Sequence, residues 1–184
     1  GLVADTALTA DIRGVASHGS VRLPVYRERI QRGLINPTPS IRIVNDCPTL
    51  VHLDGDNGLA QVVDNKAAQI AAERANEYGV CCVATYNTNH MALLSHYGLK
   101  IAEQGLIAYI MCNTPPFVAT MGAAEPVIGT NPICWCIPGK EFPIVLDMAI
   151  SPARGKIKNA AAAGKPIPEG WALDKNGRPT TDAA

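Results

Sequence analysis

Histidine, arginine and tyrosine follow one another at four-residue intervals near the start of the chain, at His18, Arg22 and Tyr26. On a helix, residues four apart lie on one face. Histidine exchanges a proton near neutral pH, and the guanidinium of arginine can hold a carboxylate through two hydrogen bonds. With Ser17 beside them, these residues predict a pocket suited to a 2-hydroxy acid. The alternative is structural: Ser17 caps a helix, while His18 and Arg22 face solvent.

A second candidate histidine, His90, stands in a polar loop between a predicted buried strand and a predicted helix. Ligands of α/β proteins bind at the carboxyl ends of sheet strands. We therefore expect His90 to transfer a proton or contact a cofactor, with Asn89 as a cofactor contact. The alternative is that His90 caps the helix that follows. Of the other histidines, His52 is expected to face solvent, and His96 to serve packing or lie at the surface.

Two further segments could meet a nucleotide. The sequence Gly-Thr-Asn-Pro at 129–132 offers backbone N–H groups and the side chains of Thr130 and Asn131 to a phosphate or ribose; the alternative is an ordinary turn. Asp147 ends an apolar strand and can accept hydrogen bonds from ribose hydroxyls, or else cap a helix. The glycine fingerprint of a Rossmann site follows no predicted strand, and the P-loop and serine-hydrolase motifs are also missing.

These side chains must be positioned by an alternation of strands and helices, which indicates an α/β core that is at least partly parallel. Three strands are apolar nearly throughout, as expected for strands covered on both faces; without such cover, an apolar patch or a second copy must lie there. Residues 166–184 are predicted to be a loop. The predicted helices are 24–32, 60–78, 93–103 and 153–163; the predicted strands are 41–44, 49–54, 80–85, 106–112, 133–137 and 144–148.

The composition is that of a globular protein and excludes several classes of partner. Of the 184 residues, 47% are apolar and 17% are charged, and sixteen basic residues balance sixteen acidic ones. Nucleic-acid binding needs a basic face, and a membrane-spanning helix needs about 18 apolar residues in a row. We therefore expect neither a nucleic-acid partner nor a membrane partner.

Six cysteines occur, two of them adjacent and none in a C-x-x-C pair. Five lie in predicted strands, which favours buried, reduced thiols without disulfides, no metal site, and a cytoplasmic protein. An alternative is a cysteine-based enzyme using Cys112 or Cys134, which the predicted burial of both thiols disfavours.

Taken in order, these motifs resemble the malate/L-lactate dehydrogenase-like family, which includes ureidoglycolate dehydrogenase, diketogulonate reductase and sulfolactate dehydrogenase. Each motif is modest alone, but the ordered set is specific and spans nearly the whole chain. The matching segments are 11–15, 17–19, 89–90, 129–132, 145–148, 168–174 and 179–182.

The resemblance implies a homodimeric oxidoreductase that transfers a hydride between NAD or NADP and a small 2-hydroxy or 2-keto acid. It implies a non-Rossmann α/β fold, with a mixed sheet flanked by helices and a small helical N-terminal domain. Residues 1–40 would belong to the helical substrate and dimerisation domain, and residues 41–184 to an incomplete cofactor-binding domain.

The resemblance also assigns roles to single residues. Proton transfer falls to His18 or His90, and substrate contacts to Ser17, Arg22 and Tyr26. The dinucleotide contacts are expected at Asn89, Thr130, Asn131, Pro143, Ile144, Val145, Leu146, Asp147, Met148 and Ala149.

Two features depart from the family pattern. The family extends beyond both ends of the chain, so we expect this chain to be part of a longer protein. Segment 117–124 lacks the tryptophan-glycine pair expected there. The alternative to an active dehydrogenase is therefore an incomplete or inactive homologue that serves only as a dimerising or binding module.

Overall fold

The computed structural model describes residues 1–151 and 154–184, which form two compact units. The first contains Gly1–Ile110 and Cys134–Asp147; the second contains Met111–Ile133 and Met148–Ala184. Residues 1–40 lie inside the first unit. The division predicted from the sequence, 1–40 and 41–184, does not coincide with these units and stays a prediction.

The first unit begins with helices. Helix α1 is Leu2–Ile12, followed by two 3₁₀ turns, Ala16–His18 and Ser20–Arg22, and by helix α2, Leu23–Gln31. Pro24 stands in the first turn of α2, where its missing N–H costs no helical hydrogen bond. The segment from His18 to Tyr26 is thus two turns and a helix rather than one continuous helical face.

A mixed three-stranded sheet follows, as predicted. Strand β1 (Arg42–Cys47) pairs antiparallel with β2 (Leu50–Gly58), and β2 pairs parallel with β3 (Cys82–Thr88). Helix α3 (Ala60–Tyr78) covers the inner face, where Val51 and Leu53 are fully buried against Ala67. The predicted bounds of α3 are confirmed; it ends at Gly79, whose φ of 85° suits a residue without a Cβ.

Helix α4 is Leu94–Ala102. Strands β4 (Ala108–Met111), β5 (Ile133–Ile137) and β6 (Ile144–Met148) form a second sheet in the order β4-β5-β6. The prediction that the apolar strands are covered on both faces is wrong. The strands alternate instead, and the predicted alternative, an exposed apolar patch, is what the structure has. Its exposed side chains are Tyr109, Met111, Trp135, Ile144, Leu146 and Met148.

In the second unit, helix α5 is Arg154–Ala162; the first residue of its predicted span, 153, lies outside the described residues. The loop predicted at 166–184 contains a small hairpin, β7 (Ala172–Leu173) with β8 (Pro179–Thr180). Asp174 makes the turn by accepting hydrogen bonds from the backbone N–H groups of Asn176 and Arg178. A carboxylate bonded to nearby backbone is a recognised turn former, which the loop prediction overlooked.

The cysteines are less buried than predicted. Only Cys134 and Cys136 are buried; Cys81 and Cys112 are partly exposed, and Cys82 is exposed together with Cys47. The two buried Sγ atoms lie 3.7 Å apart, well beyond the roughly 2.05 Å of a disulfide. Strand alternation turns Cys82 outward, whereas Cys81 and Cys112 lie one residue outside β3 and β4.

No helix within 1–151 and 154–184 is long and apolar enough to cross a membrane. The same residues hold no group of three or more His, Cys, Asp or Glu side chains arranged around a common metal position.

Candidate active site

Two histidine rings meet at the centre of the candidate site. The rings of His18 and His90 stack with their centroids 5.5 Å apart and their planes 22° from parallel. His18 ends the first 3₁₀ turn, and His90 follows β3 in the loop before α4. The sequence predicted both residues separately as candidates, and the fold brings them into contact.

The other predicted residues of the first motif lie around His18. The Ser17 hydroxyl lies 2.8 Å from Nδ1 of His18, and Nε of Arg22 donates a 2.6 Å hydrogen bond to the Ser17 carbonyl oxygen. The alternative in which Ser17 caps a helix is wrong, because no side-chain cap is made at either turn. This hydrogen bond to the main chain fixes the Nε end of the Arg22 guanidinium beside the histidine pair.

A contact with Asp11, at the end of α1, shapes the turn between these residues. The backbone N–H of Ser20 donates to Oδ2 of Asp11 at 3.0 Å. Gly19 lies against the same carboxylate, and a Cβ at this position would collide with it. A glycine is therefore required here by close approach rather than by backbone conformation.

Tyr26 joins the histidine pair to helix α3. Its hydroxyl lies 2.8 Å from Nδ1 of His90. Gln61 of α3, which is 1% exposed, donates through Nε2 to the Tyr26 hydroxyl at 3.1 Å and to the His90 carbonyl oxygen at 3.2 Å. His90 is thus held at its ring and at its backbone, and the alternative in which it caps α4 is wrong, since α4 has no side-chain cap at its N-cap residue.

Gln61 was not predicted as a site residue. The signal was its polar side chain in the stripe of α3 that packs inward, between Ala60 and Val63. A buried amide requires hydrogen-bond partners, so a glutamine at this position predicts a polar group on an element that packs against α3.

Asn89 has a supporting place in the loop. Its amide nitrogen lies within 3.1 Å of the carbonyl oxygens of Asn57 and Gly58, and its Oδ1 accepts from Arg29 at 3.2 Å. These bonds tie the loop that carries His90 to the end of β2 and to α2. The cofactor contact assigned to Asn89 stays a prediction.

The environment keeps both histidines neutral. Desolvation lowers the pKa of His90 to about 4, and the guanidinium groups of Arg22 and Arg29, as well as any charge on His18, act in the same direction. Desolvation and Arg22 also lower the pKa of His18, against the opposite influence of Asp147. Desolvation raises the pKa of Tyr26, so its hydroxyl keeps its proton.

Asp147 caps helix α4, although it lies 52 residues further along the chain than Ser95. Its Oδ2 accepts a 2.7 Å hydrogen bond from the backbone N–H of Ser95 in the first turn of α4, where negative charge is favoured. The helix-cap alternative is therefore observed, and the carboxylate also lies near enough to His18 to influence its pKa. The ribose contact assigned to Asp147 stays a prediction.

In the second unit, the Gly-Thr-Asn-Pro segment is tied to Thr114. The Thr114 hydroxyl accepts from the backbone N–H of Thr130 at 2.9 Å and lies 3.1 Å from its side-chain oxygen. Oδ1 of Asn131 accepts from the backbone N–H of Thr114 at 3.0 Å. Gly129 packs against Thr114 with no room for a Cβ. The segment is a loop held by these hydrogen bonds, and its cofactor role stays a prediction.

The two remaining histidines lie as expected. His52 is exposed on β2, with its ring beside that of Tyr86. His96 is buried in α4, with Nδ1 3.2 Å from the Thr9 hydroxyl, and packs α4 against α1.

The sequence profile of the malate/L-lactate dehydrogenase family matches residues 1–184. The chain belongs to this family. L-sulfolactate dehydrogenase of Methanocaldococcus jannaschii is 43% identical over all 184 residues, and malate dehydrogenase of Pyrococcus horikoshii is 41% identical over 98% of the chain.

Solved structures agree with this membership. Sulfolactate dehydrogenase from M. jannaschii superposes with a TM-score of 0.93 over 99% of the chain, at 43% identity. Malate dehydrogenase from Entamoeba histolytica has the same TM-score and coverage at 36% identity. The α/β fold expected from the family resemblance is therefore confirmed.

This family member spans about half the length of its curated relatives, 54% of the M. jannaschii protein and 50% of the P. horikoshii protein. Two other relatives are named with their cofactors: ureidoglycolate dehydrogenase (NAD(+)) of Escherichia coli, 37% identical, and (2R)-3-sulfolactate dehydrogenase (NADP(+)) of Chromohalobacter salexigens, 36% identical.

Proposed function

We propose that the protein is an NAD- or NADP-dependent dehydrogenase of a small 2-hydroxy acid. In the oxidation, the hydroxyl group on C2 loses its proton and C2 loses a hydride, so that a 2-keto acid forms. The stacked pair of His18 and His90, with Arg22 and Tyr26 beside it, is the observation that carries this proposal.

The chain supplies groups for each part of such a substrate. Arg22, held at Nε by the Ser17 carbonyl oxygen, is placed to bind the carboxylate through its terminal nitrogens. His18 or His90 exchanges the hydroxyl proton, since both rings are neutral at pH 7 and each has one nitrogen bonded to a neighbour. A base must be neutral before it can accept a proton.

The residues proposed to hold the dinucleotide fit that role in part. Asp147 uses only Oδ2 toward Ser95 among the described residues, which leaves Oδ1 as an acceptor for ribose hydroxyls. Thr130 and Asn131 are already bonded to Thr114, so they would contribute through their remaining hydrogen-bonding capacity. When bound, the nicotinamide supplies the hydride acceptor.

We also propose a homodimer in the cytoplasm. The exposed apolar side chains of the second sheet, among them Trp135 and Leu146, support burial of this face in the complete assembly, because large exposed apolar patches mark interfaces.

The test is oxidation of a panel of 2-hydroxy acids, including malate, lactate and 3-sulfolactate, followed by the absorbance of the reduced nicotinamide. Each acid is offered with NAD and with NADP. We expect turnover of at least one acid, and loss of turnover in a His18→Gln, His90→Gln double variant. Binding of dinucleotide without turnover of any acid would support the alternative of an inactive binding module.

A further inference from the structure

Two side chains, Gln61 and Tyr26, link helix α3 to the ring of His90, and their geometry determines which atoms donate. One amide atom of Gln61 lies 3.2 Å from the His90 carbonyl oxygen, which can only accept a hydrogen bond. That amide atom must therefore be the donor nitrogen, Nε2. Its other contact is the Tyr26 hydroxyl at 3.1 Å, so Gln61 donates to Tyr26.

The Tyr26 hydroxyl has a single hydrogen, and its residue is buried. Because one lone pair accepts from Gln61, that hydrogen is best used toward Nδ1 of His90, 2.8 Å away. If Tyr26 accepted from His90 as well, its own hydrogen would have no acceptor among the described residues, which buried hydroxyls avoid. Nδ1 of His90 therefore carries the lone pair, and the ring proton is on Nε2.

We propose that Gln61 is a positioning residue: acting through Tyr26, it holds His90 as the neutral Nε2–H tautomer, so that His90 offers a hydrogen-bond donor to the oxygen on C2 of the substrate. The catalytic meaning of this inference rests on the proposed function. The tautomer itself is a property of the protein without substrate.

The two histidines then have different tasks. A neutral His90 that donates from Nε2 and accepts at Nδ1 has no free lone pair with which to take up a proton. The hydroxyl proton of the substrate therefore passes to His18, whose Nδ1 is engaged by Ser17 and whose Nε2 is left for the substrate. A neutral histidine donor beside a separate base is an established division of roles.

The surroundings of His90 agree with a neutral ring. His18 stands in the first 3₁₀ turn, Arg22 in the second and Arg29 in α2, and all three oppose a positive charge on His90. Protonation would also place a hydrogen on Nδ1 opposite the hydrogen of Tyr26 and force that hydroxyl to turn. Gln61 thereby contributes to keeping His90 uncharged.

The first test is nitrogen NMR of protein labelled at histidine, without substrate, at neutral pH. The protonated and unprotonated ring nitrogens have well-separated resonances, and the His90 signals are identified by their loss in His90→Gln. We expect Nε2 of His90 to be protonated and Nδ1 unprotonated. A protonated Nδ1 in the wild-type protein overturns the inference.

The second test reverses the direction of the hydrogen bonds from Gln61 to Tyr26 and from Tyr26 to His90. Gln61→Glu replaces the donating amide by a carboxylate that accepts from Tyr26, which then accepts from Nδ1–H of His90. We expect the tautomer to switch and the pKa of His90 to rise by about one unit or more. A purely structural role for Gln61 would leave both unchanged, and that result contradicts the inference.

The control is Gln31→Glu, the same change at an exposed position of α2, which should leave the His90 tautomer as it is. If Gln61→Glu does not fold, the wild-type spectrum alone decides. An Nε2–H tautomer in a protein that oxidises no 2-hydroxy acid would remove the proposed function and leave the positioning role of Gln61 intact.

Discussion

His18 and His90 stack with their ring centroids 5.5 Å apart, although one belongs to a helical turn near the start of the chain and the other to the loop after β3. Two imidazolium rings at this distance would repel each other, so at most one is charged at a time. His18 appears among the groups that lower the pKa of His90, and the pair therefore titrates as a coupled unit.

The two histidines should differ in their response to the same substitution. His18→Gln removes the proposed proton acceptor and should lower kcat by roughly a hundredfold or more. His90→Gln keeps an N–H donor and should lower kcat less, with the pH dependence of kcat retained. Steady-state kinetics across pH measures both. Equal losses, or a larger loss in His90→Gln, would contradict the division of roles.

Arg22→Lys should weaken substrate binding. A point charge replaces a planar fork, and the hydrogen bond from Nε to the Ser17 carbonyl oxygen is lost with it. We expect KM for the 2-hydroxy acid to rise about tenfold, which corresponds to about 1.4 kcal/mol. Arg27→Lys, at an exposed position of the neighbouring helix α2, is the matched control; a similar rise there would show a general charge effect.

Gly19→Ala should disturb the site without touching a reacting group. The added Cβ collides with the Asp11 carboxylate, which must then release the N–H of Ser20 and shift the turn that carries His18. We expect kcat/KM to fall by up to about a hundredfold. Gly155→Ala, where a Cβ meets nothing within 4 Å, is the control. Unchanged kinetics in Gly19→Ala would show that the turn position does not matter.

Asp64 should make the protein less stable as the pH rises. It is buried on α3, bonded to the Thr85 hydroxyl, and desolvation raises its pKa from 3.8 to about 7. In the unfolded chain the carboxyl ionises from about pH 4 upward, so folding loses free energy between pH 4 and pH 7. The full linkage amounts to at most about 4 kcal/mol.

Asp64→Asn should remove this loss, as measured by urea unfolding at pH 4, 5.5 and 7. The variant becomes more stable relative to wild type as the pH rises, because its side chain does not ionise. Glu73→Gln on the exposed face of α3 should leave the pH dependence of stability unchanged. A wild-type protein whose stability is constant across this range would refute the assignment.

The sequence predicted most of the elements because their signals are local. The apolar spacing of α3 and the glycine after it reproduce Ala60–Tyr78, and β5 and β6 have their predicted bounds. The hairpin of β7 and β8 was missed because two-residue strands carry no periodicity. Burial of the cysteines was overestimated because apolar composition does not tell which strand face is covered.

The candidate site could be predicted in part. Residue type and spacing identify site residues that are close in sequence, such as Ser17, His18 and Arg22. The contact of Tyr26 with His90, and of both with Gln61, depends on how α2, α3 and the loop after β3 pack together, which no local pattern contains. Glutamine also has no characteristic chemistry of its own, so only burial identifies it.

The two tryptophans of the chain lie in different compact units. Trp135 belongs to the first unit and lies on the exposed face of the second sheet. Its ring stacks on that of Tyr109, with the two ring centroids 4.3 Å apart. Trp171 belongs to the second unit, with the Lys156 ammonium 5.7 Å from its ring. Each unit therefore carries its own fluorophore. Replacing one tryptophan with phenylalanine leaves a single tryptophan emission, which follows the unfolding of one unit. The emission maximum of Trp135 also reports whether another surface covers its strand.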